Sequence, residues 1–182
     1  MSRDEDLRWL VERQKIVDLL HTWCHLVDSF QLERLVEEAY AVDGIDDHGE
    51  GPVQGRDAIR EWYEDSTRNV AAVAHNITNV IVEVDGDHAT MRSNVITLTW
   101  TMANTHLGQQ RAIDYGLSLA YHDELTLYPE GWRFDKKVLV SNTSRDGDPH
   151  VVAFGELPKT QKGIQALSRK APPTPGVIAK QP

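Results

Sequence analysis

Apolar residues recur at three- and four-residue steps through the first part of the chain: Leu7, Leu10, Val11, Ile16, Leu19, Leu20, Trp23 and Val27. That spacing predicts an amphipathic helix over 7–28. Leu32, Leu35 and Val36, set among charged neighbours, predict a shorter helix over 30–40. AVDGIDDHGEGPVQG (41–55) reads as a loop with room for a short strand, and GRDAIREWYEDSTRN (55–69) as a third helix. From residue 73 the period changes to two. HNITNVIVEV (75–84) leads through the turn signal DGD into ATMRSNVITLTW (89–100), rich in β-branched residues. RAIDYGLSLAYHDELTLY (111–128) puts Ile113, Tyr115, Leu117, Leu119 and Tyr121 on one face. PEG (129–131) then turns the chain into WRFDKKVLVSNT (132–143), where alternation places Trp132, Phe134, Val138 and Val140 together. In the same way strand phase groups His75 with Ile77, Asn79 and Ile81.

Three helices followed by about four long antiparallel strands is an α+β plan. Strands of this length curl through twist and bulges, and helices across the concave side enclose a pocket. The expected domain is 1–143. Residues 144–182 lose the periodicity, and APPTPG (171–176) marks an extension that lies over a partner subunit or is disordered.

The 182 residues suit one domain with its own core. Nineteen Lys and Arg against 28 Asp and Glu give a net charge of −9, which argues against nucleic acid or an anionic membrane as partner. No run approaches the roughly 20 apolar residues of a membrane span. The acidic start, MSRDEDLRWL, is unlike a signal or transit peptide, and the one cysteine excludes an internal disulfide. A reducing cytoplasm is therefore the expected compartment.

Candidate chemistry begins with HTWCHLVDSF (21–30), where His21, Cys24, His25 and Asp28 recur at helical spacing. His21 and His25, at i and i+4, suit a metal only if other ligands converge. Positions 24 and 25 point about 100° apart, which strains one shared site, so no metal is expected. The run DGIDDHGEG (43–51) lacks the ligand order of a calcium loop and reads as solvated. Phosphate loops and the GxSxG nucleophile elbow are both missing from the sequence.

Four segments together resemble the NTF2-like superfamily, in its SnoaL-like and scytalone-dehydratase-like branch. They are VDSFQLERL (27–35), GRDAI (55–59), HNITNVIVEVDGDHATMRS (75–93) and AYHDELTLYPEGWRF (120–134), and the likeness covers residues 8–143. The resemblance implies a cone of three N-terminal helices on a strongly curved, mainly antiparallel sheet enclosing a pocket. It also implies a catalytic pair, Asp28 and His75, working without metal or organic cofactor. A carboxylate on one imidazole nitrogen raises the basicity of the other, which suits proton abstraction from carbon.

Trp23, His25, Trp100, Tyr115, Tyr121 and Asn142 are the expected substrate-lining residues, with a tyrosine phenol donating to a substrate oxygen. Trp23 stands where catalytic relatives often carry tyrosine, and an indole donates one hydrogen bond without a phenol's acidity. The implied activity is a dehydratase-like lyase or isomerase acting on a hydrophobic cyclic molecule, in a homodimer or homotrimer. Epoxide hydrolysis, cyclisation, or a non-catalytic subunit of an oxygenase-like complex are the alternatives on the same fold. For epoxide opening, Asp114 is the candidate second carboxylate.

Overall fold

The computed structural model of the chain describes residues 2–103 and 113–141. Along the chain lie helices α1 (Arg3–Asp28) and α2 (Leu32–Ala39), strands β1 (Tyr40–Asp47) and β2 (Val53–Gln54), and helix α3 (Arg56–Thr67). Four long strands follow: β3 (Val70–Asp85), β4 (His88–Thr101), β5 (Tyr115–Tyr128) and β6 (Gly131–Ser141). The sheet is six-stranded, in the order β2-β1-β6-β5-β4-β3. Only the β1–β6 pair is parallel; the other pairs are antiparallel. This is an α+β cone, three helices against a curved, open sheet. No helix of the described residues is long and apolar enough to cross a membrane. The expected extension, 144–182, falls outside the described residues.

Ser2 starts α1 with a capping box: its hydroxyl accepts from the Glu5 N–H, and the Glu5 carboxylate accepts from the Ser2 N–H. From Ile16 onward Leu20, Trp23 and Val27 bury one stripe of the helix against the sheet. In the first turns Leu7, Trp9, Leu10 and Val11 are exposed, although the periodicity groups most of them with the buried stripe. Phe30, in left-handed backbone (φ 56°), ends the helix; its N–H reaches the Val27 carbonyl and the next N–H, of Gln31, reaches Leu26.

Three features depart from the sequence reading. The segment 41–55, read as a loop with room for a short strand, carries most of an eight-residue strand, β1, and the two residues of β2. β1 runs so close to β6 that a Cβ on Gly44 would stand 3.0 Å from the Phe134 carbonyl oxygen, a tighter contact than side chains ordinarily make. In β3 the pairing jumps from Thr78–Asn94 to Ile81–Arg92, so Asn79 and Val80 together oppose Ser93. This bulge turns Asn79 (φ 54°) and Ile81 outward and hands the inner face to Val80, Val82 and Val84. In β6 the pairing jumps from Phe134–Leu125 to Lys136–Glu124, leaving Asp135 as the extra residue. Past it the phase inverts: Trp132 and Phe134 are followed inward by Lys137 and Leu139, not by Val138 and Val140.

Candidate functional site

Asp28 is the last residue of α1, and its carboxylate reaches across to β3. One oxygen accepts from His75 Nδ1 at 2.5 Å and the other from the His75 backbone N–H at 3.0 Å. Because a carboxylate offers only acceptors here, Nδ1 carries the hydrogen and Nε2 is the basic nitrogen. His75 Nε2 makes no hydrogen bond within the described residues. The pair sits at the edge of the interior, with the His75 side chain 8% and that of Asp28 24% exposed. Cross-strand pairing sets Thr97 and then Leu117 beside His75 on the inner face. The edge of the Trp23 ring lies 5.3 Å from the imidazole, centroid to centroid.

Trp23 is fully buried and forms the middle of the interior. Its Nε1–H donates to the Tyr40 hydroxyl at 2.9 Å, and Tyr40 donates to Asp46. Tyr63 donates to the same Asp46 oxygen at 3.2 Å, and His48 Nδ1 bonds the other oxygen. Asp46 has no exposed surface, so three donors satisfy a carboxylate taken wholly out of water. The His48 ring lies nearly parallel to Trp23 (6.5 Å) and to Trp62 (4.9 Å), with Tyr63 and Tyr121 edge-on. Burial, reinforced by the Asp46 charge, pushes the phenols of Tyr40 and Tyr63 well above their ordinary range, so both remain donors.

The reading of 43–51 as a solvated run is thus overturned at Asp46 and His48. Asp46 lies near the end of β1 and His48 just past it; their separation by two residues was the available signal, since extended backbone puts such positions on one side.

A third buried pair lies deeper. Lys137 Nζ is 3.2 Å from Asp123 and stands over the rings of Tyr121 (3.7 Å), Trp23 (4.3 Å) and Phe134 (4.7 Å). Burial raises Asp123 to about 6 despite the opposing pull of Lys137. Tyr121 is buried on the inner face, its phenol pushed well up by burial and then by Cys24 and the surrounding carboxylates. Burial likewise pushes the Cys24 thiol to about 12, which leaves it inert.

The remaining expected residues are not brought to this interior. His25 and His21 are exposed on α1. Trp100 alternates with the inward Thr99 and Thr101, and so lies on the outer face, paired with Ala72. Tyr115 does face inward but sits at the strand's end, half-buried and paired with Thr99. Asn142 lies outside the described residues. The Asp114 carboxylate is engaged by the N–H and hydroxyl of Thr101, so the interior's further carboxylates are Asp46 and Asp123 instead. Among the described residues no three His, Cys, Asp or Glu side chains converge as a metal-binding group.

The profile of the SnoaL-like domain matches residues 8–138. The chain belongs to the SnoaL-like domain family. That family is part of the NTF2-like superfamily. Curated proteins give no match to this SnoaL-like chain. Solved structures do. One is a variant of a Mycobacterium tuberculosis protein of unknown function, 24% identical, covering 88% of this chain and 96% of that one, with a TM-score of 0.68. Another, from Novosphingobium aromaticivorans, is described as a candidate aromatic ring hydroxylase: 24% identity, 74% and 92% coverage, TM-score 0.64. A candidate scytalone dehydratase from the same bacterium is 20% identical, with 71% and 83% coverage and a TM-score of 0.62. At these identities the likeness is one of fold.

Proposed function

We propose that this SnoaL-like domain is a cofactor-independent lyase or isomerase that removes a proton from carbon in a hydrophobic cyclic substrate. The observation that carries the reading is the double grip of Asp28 on His75, through ring and backbone. It fixes the imidazole's tautomer and direction before any ligand arrives, which is what a general base needs. His75 Nε2 takes the proton, and Asp28 stabilises the imidazolium that results. Tyr121, kept neutral by burial, donates to the substrate oxygen on which negative charge grows. The apolar walls supply binding area without competing for the charge.

The test is an absorbance assay for enone formation from a panel of cyclic β-hydroxy ketones. His75→Gln and Asp28→Asn are each expected to lower kcat by about 10²–10⁴-fold. Equal rates for parent and His75→Gln would sink the proposal. One observation favours a second reading, a binding domain without catalysis: Trp23 is fully buried and packed by rings on several sides, filling the centre of the cone. Ligand binding seen by calorimetry with no turnover by the parent protein would select that reading.

A further inference from the structure

We infer that the exposed apolar stripe at the start of α1 is a docking site for residues 159–170 of the same chain. The inference stands apart from whatever the interior catalyses and does not rest on it.

The exposure of the stripe is not that of a fraying end. Leu7, Leu10 and Val11 recur at three and four residues, so they stand together on one side of the helix. Each is about half exposed, at 51–52%, and Trp9 beside them is 39% exposed. The Ser2–Glu5 capping box holds the first turn, and Trp132 Nε1 donates to Glu12 at 2.8 Å just past Val11. The helix is therefore anchored at both ends of the stripe. Among residues 3–12, Asp4, Glu5, Asp6 and Glu12 outnumber Arg3 and Arg8. The same spacing sets Asp4 one turn from Leu7 and Asp6 one turn from Leu10.

KTQKGIQALSRK (159–170) carries the complementary pattern. Ile164, Ala166 and Leu167 form an apolar centre. Lys159 and Lys162 precede it and Arg169 and Lys170 follow it, with no acidic residue among them, in a chain whose net charge is −9. Laid on the stripe, this segment takes the Leu7, Leu10 and Val11 side chains out of water while its bases meet Asp4 and Asp6. The apolar contact supplies most of the affinity, and the charges at the rim set which segment is accepted.

Size and reach select this occupant over a second copy of the chain. Four partly exposed apolar side chains present on the order of a few hundred Å², whereas a stable subunit interface buries roughly 800 Å² per partner. A tethered segment needs far less area, because its effective concentration is on the order of millimolar. Ser141 lies nine residues beyond Trp132 on β6, and so at most roughly 30 Å from the Glu12 contact. The 17 residues from 142 to 158 span roughly 56 Å when extended, which covers that distance and the helical turn beyond it.

The test uses the full chain, in which the buried Cys24 thiol, pushed up to about 12, does not compete. Val11→Cys combined with Leu167→Cys is oxidised at low protein concentration, and the disulfide within one chain is followed by mass. It is expected to form at least about tenfold faster than in the control pair Thr90→Cys with Leu167→Cys, since Thr90 is exposed on β4. Equal rates in the two pairs overturn the inference, and so does a main product that joins two chains. A second measurement follows trypsin cleavage after Lys162 and Arg169. The triple variant Leu7→Ser, Leu10→Ser, Val11→Ser changes only exposed positions and is expected to be cleaved there about tenfold faster than the parent. A parent cleaved as fast as this variant overturns the inference. If the serine variant loses helix by circular dichroism, Lys159→Glu with Lys170→Glu replaces it. The same increase is then expected at Lys162, because like charges meet Asp4 and Asp6.

Discussion

Lys137 and Asp123 face each other on neighbouring strands with almost no exposed surface, and their protonation is tied to folding. Burial lifts the Asp123 carboxyl from 3.8 to about 6. A carboxyl raised in the folded state binds its proton more tightly there than in the unfolded chain. Its contribution to stability is therefore full below about pH 4 and is lost as pH rises through about 6. Asp123→Asn lacks that step. The difference in unfolding free energy, parent minus variant, should fall between these pH values in urea titrations and level off above; a flat or rising difference contradicts the assignment. Residues of this kind were the hardest to see in the sequence. The contact between Asp28 and His75 was legible because they lie on strongly periodic elements and the resemblance pairs them. Asp46, His48, Asp123 and Lys137 were not, because a charged side chain in a polar-looking run reads as solvated until its partner is known. Their partners come from elements that are distant in sequence, and only the folded sheet brings them together.

At the scale of the element, two inserted residues decide which side chains reach the interior. The periods of β3 and β6 were read correctly over each half-strand, and the inversion between the halves was not. Nothing local to FDKKV announces that Asp135 is skipped. The bulge exists because the paired strand offers one residue fewer, and Tyr128 donates to the Asp135 carboxylate at 2.8 Å beside it. In β3 there is a local trace: Asn79 adopts φ 54°, a conformation asparagine tolerates and β-branched residues do not. Asn79→Val should therefore cost about 1–2 kcal/mol, and Asn79→Gly less than about 0.5 kcal/mol. Chemical denaturation of the two variants checks this. Equal stabilities would mean that the bulge does not depend on the left-handed residue.

For the molecule as a whole, the order of helices and strands along the chain was legible, and so was the family. Periodicity reports what each segment is. The lateral order of the strands was hidden, because which edges meet is a property of the closed sheet and not of any segment. The parallel partnership of β1 with β6 is the main case. It places β6, the last strand of the described residues, not at a rim but between β1 and β5. A chain emerging from the ribosome therefore completes the described helices and the other five described strands with a slot still open in the sheet. Until residues 131–141 arrive, β1 and β5 each present a bare row of N–H and C=O groups, a template for pairing with other chains. The long-range pairing that fills the slot is also slow to form. A chain stopped at residue 130 should accumulate in the insoluble fraction, and the same fragment mixed during refolding with a peptide of residues 131–141 should be recovered in solution. On that expectation the wait for β6, more than the strength of any one contact, sets how much of the protein folds rather than aggregates.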